Sequence, residues 1–86
     1  TAAYEAGKKQ LAQKEFPKAV DSFSKSVKAD PSYAPAFYGL ALSYANQGMY
    51  PQAMENIQKA VELAPNDAQY KDIHERLKKA IASSRK

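Results

Sequence analysis

The stretch "FPKAV" at residues 16–20 returns as "YPQAM" at residues 50–54, 34 positions further along the chain. Sliding the whole sequence by that distance aligns Ala2 with Ala36, Tyr4 with Tyr38, Gln13 with Gln47 and Pro17 with Pro51. It also aligns Ala19 with Ala53, Lys25 with Lys59, Val27 with Val61, Pro31 with Pro65 and Ala34 with Ala68. Phe16/Tyr50, Val20/Met54, Asp21/Glu55 and Phe23/Ile57 keep their chemistry. A unit this short cannot bury its own apolar face, so the repeat demands stacking of one unit on the next.

Within each unit the apolar spacing is helical. Ala3, Ala6 and Gly7 correspond to Phe37, Leu40 and Ala41, with Tyr44 one turn on. A break follows, "KEF" in one unit and "GMY" in the other, and Gly48 suits the left-handed conformation that ends a helix. Pro17 and Pro51 then open a second helix, since proline fits a first turn at no cost in hydrogen bonds. Val20, Phe23 and Val27 form its apolar stripe, as do Met54, Ile57 and Val61, and Pro31 and Pro65 stop it. Residues 67–83 read as a last helix, with Asn66 and Gln69 as a capping box. Tyr70, Ile73, Leu77 and Ile81 give it one apolar stripe on an otherwise charged surface, the pattern of a terminal cap. The expectation is an all-α solenoid of helix-turn-helix repeats with five helices. A single domain is expected, with repeat 1 over about 1–33, repeat 2 over 34–67, the cap over about 67–83 and a basic tail at 84–86.

Composition supports helix packing as the source of stability. An 86-residue chain without cysteine has no disulfides and no thiolate metal sites. A cysteine-free chain suits a reducing cytoplasm, which is the expected location. No apolar run approaches the roughly 18 residues a membrane span needs, so membrane insertion is not expected. The sequence begins without methionine and carries only small residues, Ala3 and Ala6, where bulk is usual in the first helix. Both features suggest a fragment of a longer chain that continues upstream. The formal charge is +4, with six basic side chains and three acidic ones in residues 66–86. That excess reads as a solvated helix face rather than a nucleic-acid site.

The residues resemble the tetratricopeptide repeat family. Phe37, Leu40, Ala41, Tyr44, Ala53, Ile57, Ala60 and Pro65 match its spaced pattern in the second unit, and Gly7, Ala19, Phe23 and Pro31 in the first. Ala3, Ala6, Gln10 and Ser26 depart from it. The resemblance implies a protein-binding adaptor or scaffold whose first helices line a concave groove for a peptide. On that basis the groove residues would be Tyr4, Lys8, Leu11 and Ala12 with Pro35, Tyr38, Leu42, Ala45 and Asn46, joined by Asp72 and Arg76 from the cap. The helical spacing agrees, setting Tyr4, Lys8 and Leu11, and likewise Tyr38, Leu42 and Ala45, on a face opposite the core stripe. Chaperone-binding members of the family grip a terminal carboxylate with a polar clamp. Here the clamp positions hold Tyr4, Lys8, Gly39, Gln69 and Ile73, so no clamp is expected.

Catalysis needs a nucleophile with its base, paired carboxylates or a metal set. His74 is the one histidine, and it has no second histidine or cysteine to complete a metal site. Neither an enzyme nor a cofactor or metal is expected. The partner is expected to be a protein or peptide, with self-assembly or a place in a longer repeat array as the alternative.

Overall fold

The computed structural model describes residues 2–84, and of Ser84 only the backbone. Arg85 and Lys86, counted above in the basic tail, lie outside the described residues, as does Thr1. Among the described residues there are five α-helices: α1 Ala2–Ala12, α2 Phe16–Ala29, α3 Ala34–Asn46, α4 Tyr50–Leu63 and α5 Ala68–Ser84. Helices α1 and α2 form one antiparallel hairpin, α3 and α4 a second, and α5 covers α4.

The two hairpin turns are the same motif written with different residues. Gly48 N–H donates to the Ala45 carbonyl and Met49 N–H to the Tyr44 carbonyl, both at 3.0 Å, with Gly48 at φ 74°. Thirty-four residues earlier, Lys14 N–H donates to Leu11 at 3.0 Å and Glu15 N–H to Gln10 at 2.9 Å, with Lys14 at φ 62°. Each is a Schellman closure, in which one left-handed residue lets the last helical carbonyls find donors. The sequence marks that residue with glycine in only one of the two turns. After each turn the aromatic, Phe16 or Tyr50, is the first helical residue, and the proline follows within the first turn.

The second helices stop where a proline disallows further winding. Asp30 (φ −142°, ψ 92°) is extended and Ala64 (φ −140°, ψ 73°) has also left the helical region, each directly before a proline whose ring clashes with an α-helical predecessor. The cap helix starts one residue later than the expected capping box. Asp67, not Asn66, supplies the acceptor: its Oδ1 takes the Tyr70 N–H at 3.1 Å. An aspartate serves as well as asparagine at this position and adds a charge favourable to the helix dipole.

The core is two linked clusters. Ala19, Phe23 and Leu40 fill the space between the first hairpin and α3, while Ala41, Ala53, Ile57, Ala60, Tyr70 and Leu77 fill that between the second hairpin and α5. Phe23 is the largest fully buried side chain, at 1 % exposure. Its ring occupies the room that side chains on α1 and α3 would take. A Cβ added at Gly7 would lie 2.7 Å from Phe23 Cε1, and one at Gly39 2.5 Å from Phe23 Cζ. One repeat on, the same positions hold Ala41, Ile57 and Ile73. The bulk removed in exchanging phenylalanine for isoleucine is returned as side chains on the flanking helices, so density is kept.

Two outcomes are expected in urea unfolding. Gly48→Ala has open space around its Cβ, so its cost is backbone strain alone, about 1 kcal/mol, whereas Lys14→Gly relieves that strain and is neutral or stabilising. Gly39→Ala costs about 1–3 kcal/mol through overpacking against Phe23, and Phe23→Ile in the same chain recovers part of the loss.

Candidate functional site

Stacking two hairpins and a cap sets α1, α3 and α5 side by side as the first helices of their units. Two pairs of tyrosines link these helices. Tyr4 stands edge-on to Tyr33 with centroids 5.1 Å apart and planes at 88°, and tilts against Phe23 at 5.8 Å. Tyr38 leans on Tyr70 at 4.9 Å and 35°. Each repeated tyrosine therefore reaches the beginning of the next first helix, Tyr4 the residue that precedes α3 and Tyr38 the third residue of α5. Such tilted and edge-on pairs add roughly 0.5–1.5 kcal/mol beyond the area they bury.

Charged groups border the tyrosines. Lys8 Nζ lies 5.4 Å from the centre of the Tyr4 ring, within cation–π range. Burial raises the pKa values of Tyr4, Tyr38 and Tyr70, and neighbouring charges modify each shift. Lys8 opposes the rise at Tyr4. Asp67 and Asp72 reinforce it at Tyr38, against Arg76. The Tyr70 hydroxyl also responds to Asp67 and to Tyr4, Tyr38 and Tyr33, which puts all four rings on one electrostatic neighbourhood.

The expected groove residues divide between this surface and the core. Lys8 and Arg76 are exposed, each in a same-helix pair: Lys8 Nζ with Glu5 Oε2 at 4.0 Å, Arg76 Nε with Asp72 Oδ2 at 3.0 Å. Asn46 is exposed and its Nδ2 donates to the Leu42 carbonyl at 2.7 Å, so its side chain folds along its own helix. Leu42 is half-buried and, among the described residues, outside both packed clusters. Ala12 is exposed and Pro35 half-buried. Tyr4, Leu11, Tyr38 and Ala45, however, are not opposite the core; they pack against its clusters. The helical spacing misplaced them because it assumes one covered side. Helix α3 is flanked by α1, α2 and α4, and Tyr38 also meets Tyr70 of α5, so Tyr38 and Ala45 lie on flanks of α3 that pack against the second cluster.

Two members of the surface were missed from sequence. Tyr33 sits in the loop before α3, where no periodicity places it. Tyr70 was assigned to the cap's buried stripe, which is correct at 7 % exposure, but it is also the support of Tyr38. The signal that would have found it is the register, since Tyr70 lies 34 residues after Ala36, on the flank of its helix next to Tyr38.

A stack of like hairpins, closed by a charged helix and presenting the first helix of each unit on one surface, defines an α-helical repeat protein. Residues 34–67 match the family model of the tetratricopeptide repeat, and the five helices fit that repeat architecture. The second hairpin thus carries the match to the tetratricopeptide repeat, and the chain as a whole is an all-α helical repeat. Such repeats are typically non-catalytic modules for protein–protein interaction. Among the described residues no helix is long and apolar enough to cross a membrane.

The tyrosine shifts give a pH dependence. A tyrosine whose folded pKa is raised contributes stability that is intact below its unfolded value of about 10 and lost as pH rises through the folded value. Spectrophotometric titration of the folded protein is expected to show part of its tyrosine absorbance changing above the range of the unfolded chain. Tyr70→Phe is expected to reduce that late-titrating part.

Proposed function

We propose that the surface of α1, α3 and α5 receives an extended or helical segment of a partner protein, making the chain a non-enzymatic adaptor or scaffold module. The observation that carries this reading is Leu42, a half-buried leucine on α3 outside both core clusters, at the repeat position that Lys8 holds on α1 and Arg76 on α5. An apolar residue in the middle of a polar-rimmed, aromatic surface is the usual anatomy of a binding patch. We place the module in the cytoplasm, for which the absence of cysteine is the supporting observation.

A carboxylate clamp is not part of this function. Beside Lys8, the neighbouring clamp position is Gly39, and Phe23 occupies the space that any side chain there would need. Assembly through stacked repeats, the alternative, has less support at the exposed flank of α1. Glu5 and Lys9 are exposed there, at the register where α3 buries Gly39 and Ser43 against its neighbours.

Tyr38 is a poor test position, because it also holds Tyr70. Leu42→Glu tests the surface without removing a core contact. Peptides selected from a random display library on the parent protein are expected to lose about tenfold or more in affinity for Leu42→Glu, with helicity unchanged by circular dichroism. Unchanged affinity would remove this surface from consideration.

A further inference from the structure

Lys8, Leu42 and Arg76 occupy one repeating position, each 34 residues from the next, on α1, α3 and α5. They form a row across the surface that reads cation, leucine, cation. The row lies beside the tyrosines: Lys8 Nζ is over Tyr4, and Arg76 is close enough to Tyr38 to act on its hydroxyl. The present partners of both cations are same-helix carboxylates in solvent, with side chains 55–74 % exposed. Exposed pairs of this kind are worth well under about 1 kcal/mol and exchange readily for a ligand carboxylate. The acids on the same surface are placed differently. Asp67 Oδ1 is engaged by the Tyr70 N–H, whereas Glu5 and Asp72 are the exposed partners that a ligand carboxylate would displace. One turn beyond Arg76, Lys79 is exposed at the register of Leu11 and Ala45 and adds a further positive charge.

We propose that the segment received here is extended and carries an apolar residue for Leu42, flanked on each side by an acidic residue for Lys8 and for Arg76. This inference rests on the binding surface argued above. Neighbouring helices lie about 10 Å apart, and a chain in the extended polyproline-II conformation advances about 3.1 Å per residue with about three residues per turn, so side chains three apart share a face and one step takes about three residues. The segment is therefore acid-x-x-apolar-x-x-acid. It needs no chain terminus, because its carboxylates come from side chains.

The test uses two seven-residue peptides, acetylated and amidated at their ends: Glu-Ser-Ser-Leu-Ser-Ser-Glu and the same peptide with lysine for both glutamates. Each is titrated into the 15N-labelled protein at low salt and followed by amide chemical shifts. The glutamate peptide is expected to shift amides around Lys8, Leu42 and Arg76, to bind about tenfold more tightly than the lysine peptide, and to weaken with added salt. The double variant Lys8→Glu, Arg76→Glu, exposed at both positions, is expected to reverse that preference. Equal binding of both peptides on α1, α3 and α5, or no effect of the double variant, overturns the acidic assignment and leaves the surface standing. Absence of binding by the glutamate peptide overturns the proposal. Shifts confined to α2 and α4 overturn the surface as well.

Discussion

The packing of Phe23 between α1 and α3 is the contact on which the rest of the array depends. Its ring is 1 % exposed and fills the volume that side chains at Gly7 and Gly39 would claim. Phe23 is the largest fully buried side chain, while Ala3 and Ala6 on α1 bring little bulk and Ala6 is exposed. With Phe23 seated, α3 is held against the first hairpin, and Tyr4 is pinned between that ring and Tyr33. The surface formed by the first helices is thus a secondary product of a core contact. Its tyrosines are fixed in place before any partner arrives, which limits the ordering cost of binding.

Much of this fold was legible in the sequence, for reasons that particular residues make clear. Pro31 and Pro65 act on the residues directly before them, so the helix ends they impose are local and readable. The stripe of Phe23 and Ile57 is readable because a helix that packs on one side must repeat its apolar residues. The errors arose where the physics was not local. Asn66 and Asp67 are both competent caps, and the choice between them depends on which backbone N–H the loop geometry presents. The turn at Lys14 carries no glycine, so its left-handed residue is visible only through its equivalence with Gly48.

The surface was less legible than the fold. Register alone brought Lys8, Leu42 and Arg76 into one row, because each is set by the same repeat. Tyr4 and Tyr38 were placed in the groove set but assigned to a helix side that is in fact half-covered. A one-helix projection has no knowledge of further neighbours, and α3 packs on α1, α2 and α4 while its Tyr38 meets Tyr70 of α5. Tyr33 lies in a connection, where neither period applies, and only the stacked structure brings it to Tyr4.

Lys14 gives the array a direction. A side-chain-bearing residue in the left-handed region stores strain in the α1–α2 turn that Gly48 does not store in the α3–α4 turn. In a linear array each unit depends on its neighbours alone, so the unit with the more strained turn and the smaller side chains opens at the lowest free energy. Helix α1, which carries the small side chains and leads into the strained turn, then frays while α2, the second hairpin and the cap stay closed. Leu42 and Arg76 would persist as a half-surface without Lys8, and binding at one end of the row would be felt as protection at the other.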